Sequence, residues 1–133
     1  MIELFQLGDF VLAGGARSGW KIECDAFTPA EWRCLAVMAA ERLPPFGSVH
    51  GVPYGGLPFA EALRRHATPG HDTVLVAEDV VTTGGSIERY VKELREDSRA
   101  APSTTYVGVC VFARGKCPPW VYPLFQMSEV HRP

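Results

Sequence analysis

The chain has no apolar run approaching the ~18 residues of a membrane-spanning helix, so nothing in it is expected to cross a bilayer. Its first residues, MIELFQLGDF, lack the basic start and apolar stretch of a secretory signal. Positive charge is scarce. Lys and Arg number 13 against 15 Asp and Glu, a net charge of −2, which disfavours a nucleic-acid partner. The 4 cysteines, Cys24, Cys34, Cys110 and Cys117, form no C-x-x-C pair and no zinc-finger spacing with the 4 histidines. They are expected to be reduced thiols packed as small hydrophobes in a soluble, cytoplasmic protein, and no metal ligand is assigned. Repeats and low-complexity tracts are also absent. What is present is an ordinary globular balance, 47% hydrophobic and 21% charged over 133 residues, enough for one domain with its own core.

Along the chain, Phe10–Leu12 and Trp20–Asp25 are expected to form a hairpin about the turn-rich stretch Gly14 to Gly19. Thr28, Pro29, Ala30 and Glu31 read as a capping box with proline at the first helical position. The helix they open puts Trp32, Leu35, Ala36, Ala39 and Leu43 on one face, and Pro44 and Pro45 stop it. A short strand, Ser48–Val52, leads through Pro53, Tyr54, Gly55 and Gly56 into a helix from about Pro58 to His66. Val74 to Val81 reads as a strand buried on both faces, followed by a helix carrying Ile87, Tyr90, Val91 and Leu94 at helical spacing. A polar connector then precedes another buried strand, Tyr106–Ala113. Strands alternating with helices predict a single α/β domain, a mostly parallel sheet with helices on both faces. Residues 1–27 are expected to form a hood, 28–115 the α/β core, and 116–133 an irregular packed tail.

The chemistry concentrates in VLVAEDVVTTGGS, residues 74–86. Glycines let the backbone come close to a ligand, so that successive N–H groups converge on one anion. Thr82, Thr83 and Ser86 add hydroxyls about Gly84 and Gly85, and the positive end of the following helix favours a phosphate. Glu78 and Asp79 stand just ahead, where carboxylates accept bonds from sugar hydroxyls. A bland reading, a tight turn with solvated acids, competes. Two acids directly before the glycines, at the carboxyl end of a buried strand, favour a ligand site instead. No Lys follows the glycines, so this is not a P-loop. The ligand implied carries a phosphate at one end and a diol in the middle, as a 5-phosphorylated ribose does.

VLVAEDVVTTGGS resembles the phosphoribosyl pyrophosphate (PRPP) motif of the type I phosphoribosyltransferases. LGDFVLAGGARSG is similar to the N-terminal substrate segment of the orotate phosphoribosyltransferases, and VHGVPYGGLPFAEAL to their pyrophosphate-loop strand and helix. The resemblance implies that Glu78 and Asp79 bond the ribose hydroxyls in a catalytic role, and that Thr82, Thr83, Gly84, Gly85 and Ser86 hold the 5-phosphate. It implies a pyrophosphate loop at Gly51, Val52, Pro53, Tyr54, Gly55 and Gly56, and a base contact at Arg114. It further implies PRPP or a nucleoside 5′-monophosphate as ligand, Mg2+ bound mainly through PRPP, a pyrimidine-type base and a homodimer.

The chain departs from that pattern in two places. Where the family has a further strand ending in Arg-Lys and a long basic catalytic loop, this chain has only Ala67, Thr68, Pro69, Gly70, His71 and Asp72. The family's N-terminal Lys falls on Ala13. Arg17, Lys21, Arg64, Arg65, His66 and His71 are the candidates for restoring charge, with an exposed helix end the competing reading of Arg64 and Arg65. His50 is a further candidate ligand contact, against the plainer reading of a strand histidine. Two functions therefore stand at this point: phosphoribosyl transfer with release of pyrophosphate, or a binding or regulatory module that kept the pocket and lost the loop. An unrelated doubly wound phosphate binder is a third, opposed by the intact motif.

Overall fold

The computed structural model describes residues 2–12, 15–97 and 99–127. Strand β1 (Phe5–Val11) pairs antiparallel with β2 (Arg17–Ile22), so the hairpin is longer on its first arm than the sequence pattern suggests. Helix α1 (Pro29–Arg42) follows, then β3 (Ser48–Gly51), α2 (Leu57–Leu63), β4 (Val74–Val81), α3 (Gly85–Glu96), β5 (Tyr106–Ala113) and β6 (Val121–Gln126). The main sheet runs β3-β4-β5-β6, every neighbouring pair parallel. The expected α/β architecture is what the chain adopts.

Local chemistry sets the element ends. The Thr28 side chain accepts from the Glu31 N–H at 3.2 Å, and the Glu31 carboxylate accepts from the Thr28 N–H at 2.8 Å, closing the capping box. Helices α1 and α2 cover one face of the sheet, burying Trp32, Leu35, Phe59 and Leu63 against Leu75, Ala77, Val109 and Val111. Helix α3 covers the other with Ile87 and Val91 against Val76, Val81, Cys110 and Val121. Each large side chain so buried contributes about 1.5–3 kcal/mol. The hairpin docks through aromatic edges: the Phe5 ring meets Phe112 at 5.9 Å.

Along β4 the two faces alternate regularly up to Ala77, Leu75 and Ala77 toward α1 and α2, Val74 and Val76 toward α3. Past Glu78 and Asp79 the alternation slips, since Val80 joins the first cluster and Val81 the second. The slip falls on the paired acids.

Two expectations need correction. The stretch beyond residue 116 is not irregular throughout, because Val121–Gln126 is the fourth strand of the sheet, with Val121 and Leu124 buried. The α/β core therefore extends past residue 115. The strand was hidden by Pro123, which a central strand would not accept but an edge strand tolerates. The connection Arg114–Trp120 is also shorter than parallel strands usually need. Second, Cys24 and Cys110 are buried thiols as expected, but Cys34 is exposed on α1. No helix of the described residues is long and apolar enough to cross a membrane.

Candidate functional site

The carboxyl ends of β3 and β4, with the residue following β5, open into a cleft of about 420 Å3. It is lined by Glu78 to Ile87, by Val52, Pro53 and Gly55 after β3, and by Val11, Leu12, Lys21 and Ile22 of the hairpin. Arg89 of α3 and Arg114 complete it. Of the segments singled out in the sequence, Glu78, Asp79 and all of Thr82–Ser86 border this one space. Gly51, Tyr54 and Gly56 do not line it, and Tyr54 is 85% exposed. Gly51 and Gly56 instead shape the loop: a Cβ on Gly51 would stand 2.7 Å from the Gly56 carbonyl oxygen, and one on Gly56 would run into the Ala77 carbonyl.

Glu78 is the buried charged side chain of the described core, 7% exposed. Burial, then a hydrogen bond with the Asp79 side chain and its negative charge, hold the Glu78 carboxyl well above the ordinary carboxylate range. A neutral carboxyl both donates and accepts hydrogen bonds, which suits a sugar hydroxyl. Asp79 is half-buried, and its Oδ1 accepts from the Val80 N–H at 2.7 Å. Its other oxygen rests against Gly55, where any Cβ would overlap it. The acid pair and the Gly55 loop thus form one wall, and only glycine fits between them.

In the Thr82–Ser86 turn, Gly84 adopts the left-handed conformation at φ 89°. A Cβ there would stand 2.8 Å from Pro118 Cδ. The Gly85 N–H donates to Thr83 Oγ1 at 3.2 Å, and α3 starts at Gly85, so its first-turn amides face the cleft end. The β5–β6 connection braces this turn from behind. The Arg114 N–H donates to the Val81 carbonyl at 2.8 Å, and Gly115 passes too close to the Thr82 carbonyl for a side chain.

Arg114 borders the cleft but is also tied to the hairpin. Its guanidinium donates to the Trp20 carbonyl at 3.2 Å and Ser18 Oγ at 3.0 Å, and stacks 3.5 Å over the Trp20 ring. Burial lowers its pKa from the usual arginine value. Of the basic candidates named in the sequence, Lys21 lines the cleft, 5.0 Å over the Phe10 ring and 3.3 Å from Glu23. The others stand elsewhere. Arg17 pairs with Asp9 and Arg64 with Glu61, each at 2.7 Å, while Arg64 and Arg65 line a separate groove with Trp32. His71 Nδ1 accepts from the Thr73 N–H, and His66 lies in a 3-10 turn after α2. His50 sits within β3 off the cleft, its pKa lowered by burial and then by Arg64. Ala13 lies outside the described residues. Sequence reasoning missed Arg89 and Trp20. The first was legible, since it follows Gly85 by one helical turn; the contact of Trp20 with Arg114 spans 94 residues and left no local signal.

The chain is 29% identical over 118 residues to an orotate phosphoribosyltransferase of Methanocaldococcus jannaschii, matching 69% of this chain and 67% of that protein. It is 30% identical over 121 residues to one of Cenarchaeum symbiosum, matching 68% of this chain and 60% of that protein. The matched part thus spans about two thirds or less of these relatives' lengths. Among solved structures, the orotate phosphoribosyltransferase of Aeropyrum pernix superposes with a TM-score of 0.74 over 92% of this chain and 88% of that one, at 23% identity. That of Mycobacterium tuberculosis H37Rv, in complex with Fe(III) dicitrate, gives 0.68 over 92% and 89%, at 16% identity. These structural likenesses bear on the fold. No family model matches the chain.

Proposed function

We propose that the chain, which has the fold of the type I phosphoribosyltransferases and resembles orotate phosphoribosyltransferases in sequence, belongs to that family, binds PRPP or a nucleoside 5′-monophosphate and moves the phosphoribosyl group between pyrophosphate and a pyrimidine-type base. The observation that carries this reading is the convergence of Glu78, Asp79, Gly55 and the Thr82–Ser86 turn on one cleft. The amides and hydroxyls of Thr83 to Ser86 hold the 5-phosphate. Glu78 and Asp79 take the ribose hydroxyls, and the backbone about Val52 to Gly55 lines the pyrophosphate. Arg114, stacked on Trp20, borders the base.

Transfer breaks the bond from the anomeric carbon to pyrophosphate oxygen, which leaves with the electron pair, and forms a bond to a base nitrogen, which gives up its proton. Positive character develops on the ribose between these events. Val11, Leu12 and Ile22 of the hairpin shield that centre from water. Mg2+ fits the donors present, since Glu78 and Asp79 border the cleft and Mg2+ commonly takes one or two carboxylates plus substrate phosphates. Asp79 is the residue that would hold it, and the ion would offset charge on pyrophosphate. A homodimer is proposed with the same family reading, and sedimentation equilibrium would test it.

A second reading, binding without fast turnover, is favoured by the short connection Ala67–Thr73 between α2's end and β4. It brings no basic side chain to the cleft. Incubation with PRPP, Mg2+ and a panel of bases, assayed for pyrophosphate release, separates the two. Base-dependent release supports transfer; tight PRPP binding with no release supports the module.

A further inference from the structure

Arg89 lies outside the motif of residues 74–86 and the other segments named from the sequence, yet it borders the cleft beside the phosphate turn. It occupies the helical position one turn beyond Gly85 and Ser86, on the same face of α3. Long side chains on a helix lean back toward its N-terminus, which here is the phosphate turn itself. Gly85 has no side chain and Ser86 a short one, so the path from Arg89 to the turn is unobstructed by its own helix. Among the described residues Arg89 makes no ion pair, unlike Arg17, Arg64 and Arg99. The neighbouring Glu88 reaches the same turn, its Oε1 4.0 Å from where a Cβ on Gly84 would lie, and it also lines an adjoining depression with Lys92, Arg95 and Tyr106, so Arg89 is the cation that balances it there. The cleft's other cations are committed, Lys21 to Glu23 and Arg114 to the hairpin.

We propose that Arg89 reads the 5-phosphate of the ligand, adding a charged, side-chain contact to the backbone cradle of Thr83–Ser86. This rests on the cleft being a ribose-phosphate site. A guanidinium suits the task because its fork pairs with two phosphate oxygens at once. Being exposed, the contact is screened by salt, so its contribution should shrink as ionic strength rises.

The test is calorimetric titration of the full chain with ribose 5-phosphate at low and moderate salt. Arg89→Ala should weaken binding about tenfold or more at low salt and flatten the salt dependence. Arg89→Lys should restore part of the affinity, and Lys92→Ala, on the same helix but off the cleft, should change little. Wild-type affinity in Arg89→Ala, or an equal loss in Lys92→Ala, overturns the proposal. If Gly84→Val abolishes binding while Arg89→Ala does not, the site reading survives and the role of Arg89 falls. If the wild type binds no ribose 5-phosphate at all, both fall together.

Discussion

A carboxyl group 7% exposed beside a second carboxylate does not ionise on ordinary terms. Glu78 binds its proton more tightly in the folded chain than in the unfolded one. Its stabilising contribution is therefore full below the unfolded pKa and is lost as pH rises through the raised folded value. Thermal stability should fall from about pH 5 into the alkaline range by at most about 1.4 kcal/mol per pH unit from this group. Glu78→Gln should remove most of that dependence and raise Tm at pH 8. An unchanged Tm–pH curve would mean that Glu78 is not the group responsible. Gly84 makes a second prediction. Its φ of 89° and the nearness of Pro118 leave no room for a branched side chain. Gly84→Val should abolish nucleotide binding with the circular dichroism spectrum largely kept, and unchanged affinity would sink the phosphate-turn assignment. The acid pair and these glycines were legible because they are contiguous and follow a strand. The packing of Asp79 on Gly55 was not, since those residues come from different strand ends and meet only in the folded sheet.

Elements were readable where composition and period agreed. The α1 start follows from Thr28, Pro29 and Glu31, and Thr28→Ala should cost about 1 kcal/mol in denaturant unfolding, with no effect on ligand affinity. A loss under about 0.3 kcal/mol would show the cap to be redundant with helix packing. The β4 and β5 runs are continuous and apolar, as strands buried on both faces must be. Strand β6 escaped for a physical reason: its partners lie along β5, its side chains alternate weakly, and Pro123 argues against a strand unless edge position is known. The hairpin's turn and sequence suggested a hood. What fixes it, Arg114 stacked on Trp20 with Ser18 as acceptor, is a contact between distant segments. Trp20→Ala should therefore loosen the hairpin and raise its amide exchange while leaving β4 and β5 protected. Uniform protection across both would show that the hairpin docks by Phe5 and Phe112 alone.

For the whole molecule, binding and turnover are separable because they depend on different groups. On the proposed reading the cleft keeps the residues assigned to ribose and phosphate, whereas, with Arg89 assigned to the 5-phosphate, only Lys21 and Arg114 of its lining remain to offset departing pyrophosphate. One missing charged contact in such a site costs about 2–4 kcal/mol in the barrier, roughly 30- to 1000-fold in rate. The isolated chain should accordingly turn over orotate at well under about 1 s−1, and Lys21→Ala should lower any residual pyrophosphate release further. A rate near the ~10 s−1 of an ordinary enzyme would contradict this.

The claim on which the rest depends is that the paired acids read a ribose that the glycine turn holds by its phosphate. Calorimetric titration of the wild type and the Glu78→Ala/Asp79→Ala variant with PRPP and Mg2+, and separately with inorganic phosphate, tests it directly. Only PRPP offers hydroxyls to the carboxylates. The variant should lose about tenfold or more in PRPP affinity while phosphate binding stays within about twofold of the wild type. Equal weakening of both ligands, or no PRPP binding by the wild type, would contradict it.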